Sequence, residues 1–131
     1  MGIGDTGRIR VLHVDDEQSV VDIVSTFLER EGEGFAVETA TSPGEALDRV
    51  DDVDCIVSDY EMPETNGIEF LETVRETNSD VPFILYTGTG SESVAGEAIT
   101  AGATDYVQKG SGTDQYADLA NRIEQAVTGG E

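Results

Sequence analysis

Two periodicities alternate along the chain. Ile9–Val14 (IRVLHV) is a short apolar run rich in β-branched residues, and it stops abruptly at Asp15-Asp16-Glu17. From Ser19 the spacing changes: Val20, Ile23, Val24, Phe27 and Leu28 fall at i, i+3, i+4, i+7 and i+8, one face of a helix. Glu31-Gly32-Glu33-Gly34 predicts its end, because glycine accepts the left-handed conformation that closes a helix. Phe35–Ala40 alternates as a second strand. Ser42-Pro43 then reads as N-cap and first residue of a short helix running to about Val50. Asp54–Ser58 is the third strand, and Glu61–Gly67 (EMPETNG) has the residue types of a turn. Ile68, Leu71 and Val74 mark the next helix. Val81–Tyr86 is an apolar fourth strand, with Pro82 tolerable at its start. After a loop from Thr87 to Gly90, Ser91 and Glu92 open a helix along Val94, Ala98 and Ala101, ended by Gly102. Thr104–Val107 is the fifth strand. The last helix, about Asp114 to Thr128, places Tyr116, Leu119, Ala120, Ile123 and Val127 on one face.

Five strands alternating with five helices predict a parallel α/β sheet covered on both faces by right-handed crossovers. In such open sheets ligands sit beyond the carboxyl ends of the strands, where the winding reverses. The residues following the strands are Asp15-Asp16, Asp59, Thr87 and Lys109, so polar groups gather at every strand end except the second. No repeat or linker interrupts the pattern. One domain over residues 8–128 is expected, with flexible tails at 1–7 and 129–131.

Composition narrows the classes of function. The chain has 131 residues, 28 Asp plus Glu against 7 Lys plus Arg, and a formal net charge of −21. Such a surface repels nucleic acid and anionic membranes, which excludes direct nucleic-acid binding as an expectation. The regular apolar segments argue against disorder. They leave a surface adapted to very high salt, and so a halophilic source, as the expected origin of the acid excess. With one cysteine, Cys55, no intrachain disulfide can form, and no apolar run is long enough for a membrane span. A cytoplasmic location is the expectation. The only lysine is Lys109, which makes its position at a strand end informative.

Three carboxylates brought together repel one another, and partial burial raises the cost. Such a pocket must protonate one member or hold a cation. Hard oxygen ligands with open positions favour Mg²⁺, which keeps several waters and binds phosphate oxygens. One carboxylate can then act as nucleophile toward phosphorus, with a hydroxyl from Thr87 and an ammonium from Lys109 sharing the charge on the phosphoryl oxygens.

The motifs Val14-Asp15-Asp16-Glu17, Ser58-Asp59-Tyr60-Glu61-Met62-Pro63-Glu64-Thr65-Asn66-Gly67, Tyr86-Thr87-Gly88 and Gly102-Ala103-Thr104-Asp105-Tyr106-Val107-Gln108-Lys109 resemble, in order, those of the receiver domain of two-component response regulators. The resemblance runs from about Arg8 to Val127. It implies a doubly wound, flavodoxin-like three-layer sandwich with strand order 2-1-3-4-5. It further implies that Asp59 is the phosphoacceptor and that Asp16 and Asp59 bind Mg²⁺ directly. The Glu61 backbone carbonyl would be the third protein ligand, and Asp15 would act mostly through water. Thr87 and Lys109 would meet the phosphoryl oxygens, and Thr87 with Tyr106 would form the switch. The implied partners are a histidine kinase and a downstream effector, with homodimerisation on phosphorylation. Such a domain is a phosphoacceptor that catalyses its own modification rather than an enzyme with turnover.

One position departs from the pattern: Gly110 follows Lys109 where the family usually carries proline. The 131 residues include no output domain, so the expectation is a stand-alone receiver or a piece of a longer regulator. Two alternatives are a degenerate receiver serving as a docking scaffold and a phosphohydrolase of the haloacid-dehalogenase type. The second needs an Asp two residues after the nucleophile, where Glu61 stands. His13 is expected to be a packed or hydrogen-bonded strand residue, and Cys55 a small buried apolar one. Gly88-Thr89-Gly90 lacks the following Gly and Lys of a phosphate-binding loop.

Overall fold

In a computed structural model the chain forms one five-stranded parallel sheet of order β2-β1-β3-β4-β5, the order expected. The structure describes residues 9–17, 26, 28–30, 35–62, 65–88, 92–109 and 114–128. The strands are β1 (Ile9–Val14), β2 (Phe35–Ala40), β3 (Cys55–Ser58), β4 (Phe83–Thr87) and β5 (Asp105–Gln108). The helices with defined bounds are α1 (Pro43–Leu47), α2 (Gly67–Thr77), α3 (Glu92–Ala101) and α4 (Asp114–Thr128). Of the helix predicted to follow β1, Thr26 and residues 28–30 are helical, and Leu28 is buried. Its remaining face, the turn at 31–34, both tails and Gly110 lie outside the described residues.

The sheet separates two apolar layers. On one face Leu12, Val14, Ile56, Phe83 and Leu85 pack against Ala46 of α1, Phe70, Leu71 and Val74 of α2, and Ala98 of α3. The Phe70 and Phe83 rings meet there at 5.7 Å, tilted by 56°, a favoured aromatic arrangement. On the other face Val11, Cys55, Val57, Ile84 and Tyr86 pack against Leu28 and against Leu119, Ala120 and Ile123 of α4. Burial on both faces accounts for the continuous apolar runs of these strands. Cys55 is a free, buried thiol, as its apolar setting predicts. Among the described residues no helix is long and apolar enough to cross a membrane.

Two boundaries differ from the pattern reading for physical reasons. The fourth strand begins at Phe83 rather than Val81, because Pro82 has no N–H to donate; its carbonyl still accepts from Ile56 N at 2.9 Å. The helix expected to reach Val50 stops at Leu47 and gives way to a 3₁₀ turn over Val50–Asp52. Asp48 stands at the C-cap of that helix, where the dipole disfavours negative charge. Its start is as expected: Ser42 caps it, accepting from Glu45 N at 3.2 Å, with Pro43 in the first turn. Smaller offsets put β3 and β5 one residue later than predicted at their starts. Gly102 ends α3 with φ of 112°, a conformation that favours glycine.

His13 lies inside β1, fully buried, and neither ring nitrogen has a hydrogen-bond partner among the described residues. It is packed rather than hydrogen-bonded. Burial, helped by the nearby Lys109 charge, lowers its pKa from 6.5 to about 3. The unfolded chain therefore binds a proton at His13 that the folded chain refuses between about pH 6.5 and 3. Stability falls as pH drops through that window. His13→Phe should reduce the loss of unfolding free energy between pH 7 and pH 5 by roughly 2 kcal/mol. Urea titrations of both proteins at the two pH values check this; equal losses would contradict it.

Candidate functional site

Strand order 2-1-3-4-5 reverses the winding between β1 and β3, so the loops leaving these strands part and open a cleft. The register Val14↔Ser58 sets the two strand ends level, and Asp59 N donates to Val14 O at 2.9 Å. Asp15, Asp16 and Asp59 are thereby brought together, with one carboxylate oxygen from each lying within 4.8 Å of the others. Asp16 and Asp59 also line a cleft of about 590 Å³ with Glu17, Tyr60, Glu61, Met62 and Asn66.

The loop after Asp59 is held from below by α2. Asn66 caps that helix reciprocally: its Oδ1 accepts from Glu69 N at 2.9 Å, and its N donates to Glu69 Oε1 at 3.0 Å. Gly67 N donates to Tyr60 O at 2.8 Å. A Cβ at Gly67 would be driven into the Asp59 carbonyl oxygen and would come within 2.8 Å of Leu85 Cδ1. Glycine is required there by close approach.

The far side of the cluster is closed by the ends of β4 and β5. Thr87, the last residue of β4, is buried, and its hydroxyl hydrogen-bonds the Asp59 carboxylate. Lys109 N donates to Thr87 O at 2.8 Å, which fixes the lysine backbone beside the threonine. The Lys109 ammonium lies 3.3 Å from Asp15 Oδ2 and 3.8 Å from Asp59 Oδ1. Asp15, 1% exposed, accepts from Lys109 on one oxygen and from Glu17 N at 3.0 Å on the other. Asp59 Oδ1 also accepts from Tyr60 N at 2.8 Å.

These partners do not fully offset the burial of Asp59. Its carboxyl is held above the ordinary carboxylate range, chiefly by desolvation and also by Asp15. The Lys109 ammonium, the Tyr60 N–H and the Thr87 hydroxyl pull the other way. With three carboxylates against one ammonium, the site retains excess negative charge. An all-oxygen donor set of this kind fits a hard divalent cation.

The structure thus brings together five predicted residues: Asp15, Asp16, Asp59, Thr87 and Lys109. Glu61 is exposed and lines the same cleft. Tyr106 is half-buried in β5 and packed on the face covered by α2 and α3. Two features escaped the sequence reading. One is the direct Asp15–Lys109 ion pair. The other is Tyr86, whose ring centroid lies 5.6 Å from Lys109 Nζ. Its place next to Thr87 in a buried strand was the only signal for it.

Comparison with known proteins agrees with this geometry. The profile of the response regulator receiver domain matches residues 11–121. Response regulator SaeR of Staphylococcus aureus is 42% identical over 100 residues, which are 76% of this chain and 43% of SaeR. The chain therefore spans less than half the length of that curated relative. Among solved structures, the response regulator domain of Thermotoga maritima CheB superposes with a TM-score of 0.82 at 27% identity, covering 92% of this chain and 96% of that one. A response regulator receiver domain protein from Clostridium thermocellum gives 0.81 at 26% identity, over 93% and 96%. These relatives lend no support to the expectation of a halophilic source.

Because burial and Asp15 both disfavour the charged form of Asp59, removing that charge should stabilise the fold when divalent ions are chelated. Asp59→Asn is therefore expected to raise Tm. Thermal melts in excess EDTA check this; a lowered Tm would contradict it.

Proposed function

The chain belongs to the response regulator receiver family, and from that membership and the site geometry we propose that Asp59 accepts a phosphoryl group in a Mg²⁺-dependent signalling switch. The observation that carries the reading is the convergence of Asp59 with Asp15, Asp16, Thr87 and Lys109 at one rim of the sheet. A docking scaffold would not need this set, and a phosphohydrolase of the haloacid-dehalogenase type would need an aspartate where Glu61 stands.

Asp16, Asp59 and the Glu61 backbone carbonyl would hold the Mg²⁺, with Asp15 alongside. When bound, the ion offsets the carboxylate charge and draws electron density from phosphoryl oxygens. The Asp59 carboxylate attacks phosphorus, forming a new O–P bond as the donor's P–N bond breaks. The donor is a phosphohistidine of a histidine kinase, and its imidazole leaves with the electron pair. Lys109 supplies an ammonium already aimed at Asp59, and Thr87 a hydroxyl already bonded to it. Both follow the negative charge from the carboxylate to the phosphoryl oxygens.

This transfer of partners is the switch. Once the Thr87 hydroxyl follows the phosphoryl group, Tyr106 on the face of α2 and α3 turns inward. The surface around α3, β5 and α4 changes with it and is read by a downstream effector or a second copy of the domain.

Incubation with acetyl phosphate and Mg²⁺ should add a single phosphoryl group, detected by intact mass, and Asp59→Asn should abolish it. Labelling that survives this substitution would overturn the assignment.

A further inference from the structure

Tyr86 and Thr87 are neighbours in β4, so their side chains leave opposite faces of the sheet. Thr87 belongs to the rim with Asp59. Tyr86 enters the layer under α4, is 1% exposed, and packs with Val57, Leu119 and Ile123. Its hydroxyl donates to Gln115 Oε1 in the first turn of α4. The ring is thus pinned at its tip and along its sides. The Lys109 ammonium, 25% exposed, lies 5.6 Å from the ring centroid while facing Asp15 and Asp59. That is within the range, about 6 Å, at which a ring face attracts a cation.

A lysine side chain has four flexible methylenes, and two carboxylates do not fix its path. The hydrogen bond from Lys109 N to Thr87 O holds the lysine backbone but leaves the side chain free to choose its path. The Tyr86–Gln115 hydrogen bond joins the end of β4 to the start of α4. The ring offers the ammonium a contact from inside the core, opposite the cleft.

We propose that Tyr86 is a positioning residue for Lys109: its ring, held by Gln115, supports the ammonium against Asp15 and Asp59. This rests on the reading of Asp59 as phosphoacceptor and extends it to a residue outside the acidic cleft. The π face supplies attraction as well as shape, so an aromatic ring at position 86 is required and its hydroxyl contributes less.

The chain has a single lysine, so ¹³C-lysine labelling gives one ε-methylene signal that reports Lys109 alone. In wild type and in Tyr86→Phe this signal should carry an upfield ring-current shift, and in Tyr86→Leu it should move toward the value of a free lysine. The Mg²⁺-dependent rate of phosphoryl uptake from acetyl phosphate should fall about tenfold in Tyr86→Leu and stay within about threefold of wild type in Tyr86→Phe. Pentafluorophenylalanine at position 86 keeps the shape of Phe and reverses the charge of the ring face. Its rate should drop toward that of the Leu variant, which keeps the proposal testable even if Tyr86→Leu does not fold. A fluorinated ring as fast as Phe, or a Lys109 signal unmoved by loss of the ring, would overturn it. If wild type takes up no phosphoryl group, the reading of Asp59 fails instead, and the Lys109 signal, recorded without phosphodonor, still decides the role of Tyr86.

Discussion

The structure turns on an electrostatic imbalance: three carboxylates meet at a partly desolvated rim with one ammonium to oppose them. Asp15 is buried outright and Asp59 nearly so, its side chain 13% exposed. Charge in that setting is expensive without close partners. Lys109 is placed between the two, and backbone N–H groups of Glu17 and Tyr60 take further lone pairs. The remaining negative charge suits the rim to a hard divalent cation.

The fold delivers this imbalance through simple constraints. Parallel register levels the ends of β1 and β3, and the reversal between them opens the cleft. Gly67 allows α2 to press against the Asp59 backbone, so Asp59 sits on a helix-supported loop. On the far side, Thr87 and Lys109 are joined through their main chains at the ends of neighbouring strands. Two tyrosines flank this pair in different layers. Tyr86 lies under α4 beneath the ammonium, while Tyr106 lies toward α2 and α3, on the face where a change in Thr87 would be read. The rim therefore borders both layers of the sandwich.

Most of this was legible along the chain because the physics is local. Apolar runs that stop at Asp15, Asp59 or Lys109 identify strand ends, and an open parallel sheet must gather those ends on one side. Ser42-Pro43 and Gly102 marked helix limits by capping chemistry alone. The errors arose where local preference met a competing term. Pro82 delayed β4, and Asp48 at its C-cap ended α1 early. What stayed hidden depends on tertiary neighbours. Strand alternation cannot say that the Tyr86 ring lies beneath a lysine, that the His13 nitrogens find no partner among the described residues, or that Asp15 pairs with Lys109 directly.

The central claim is that one site binds the cation and the phosphoryl group, with Lys109 and Thr87 passing from carboxylate to phosphoryl oxygens. A crystal structure of the domain with Mg²⁺ and beryllofluoride tests it most directly. The account predicts Mg²⁺ between Asp16 and Asp59, beryllofluoride on Asp59, and the Lys109 ammonium and Thr87 hydroxyl both on fluorine atoms. Beryllofluoride bound elsewhere, or bound at Asp59 with Lys109 and Thr87 turned away, would contradict it.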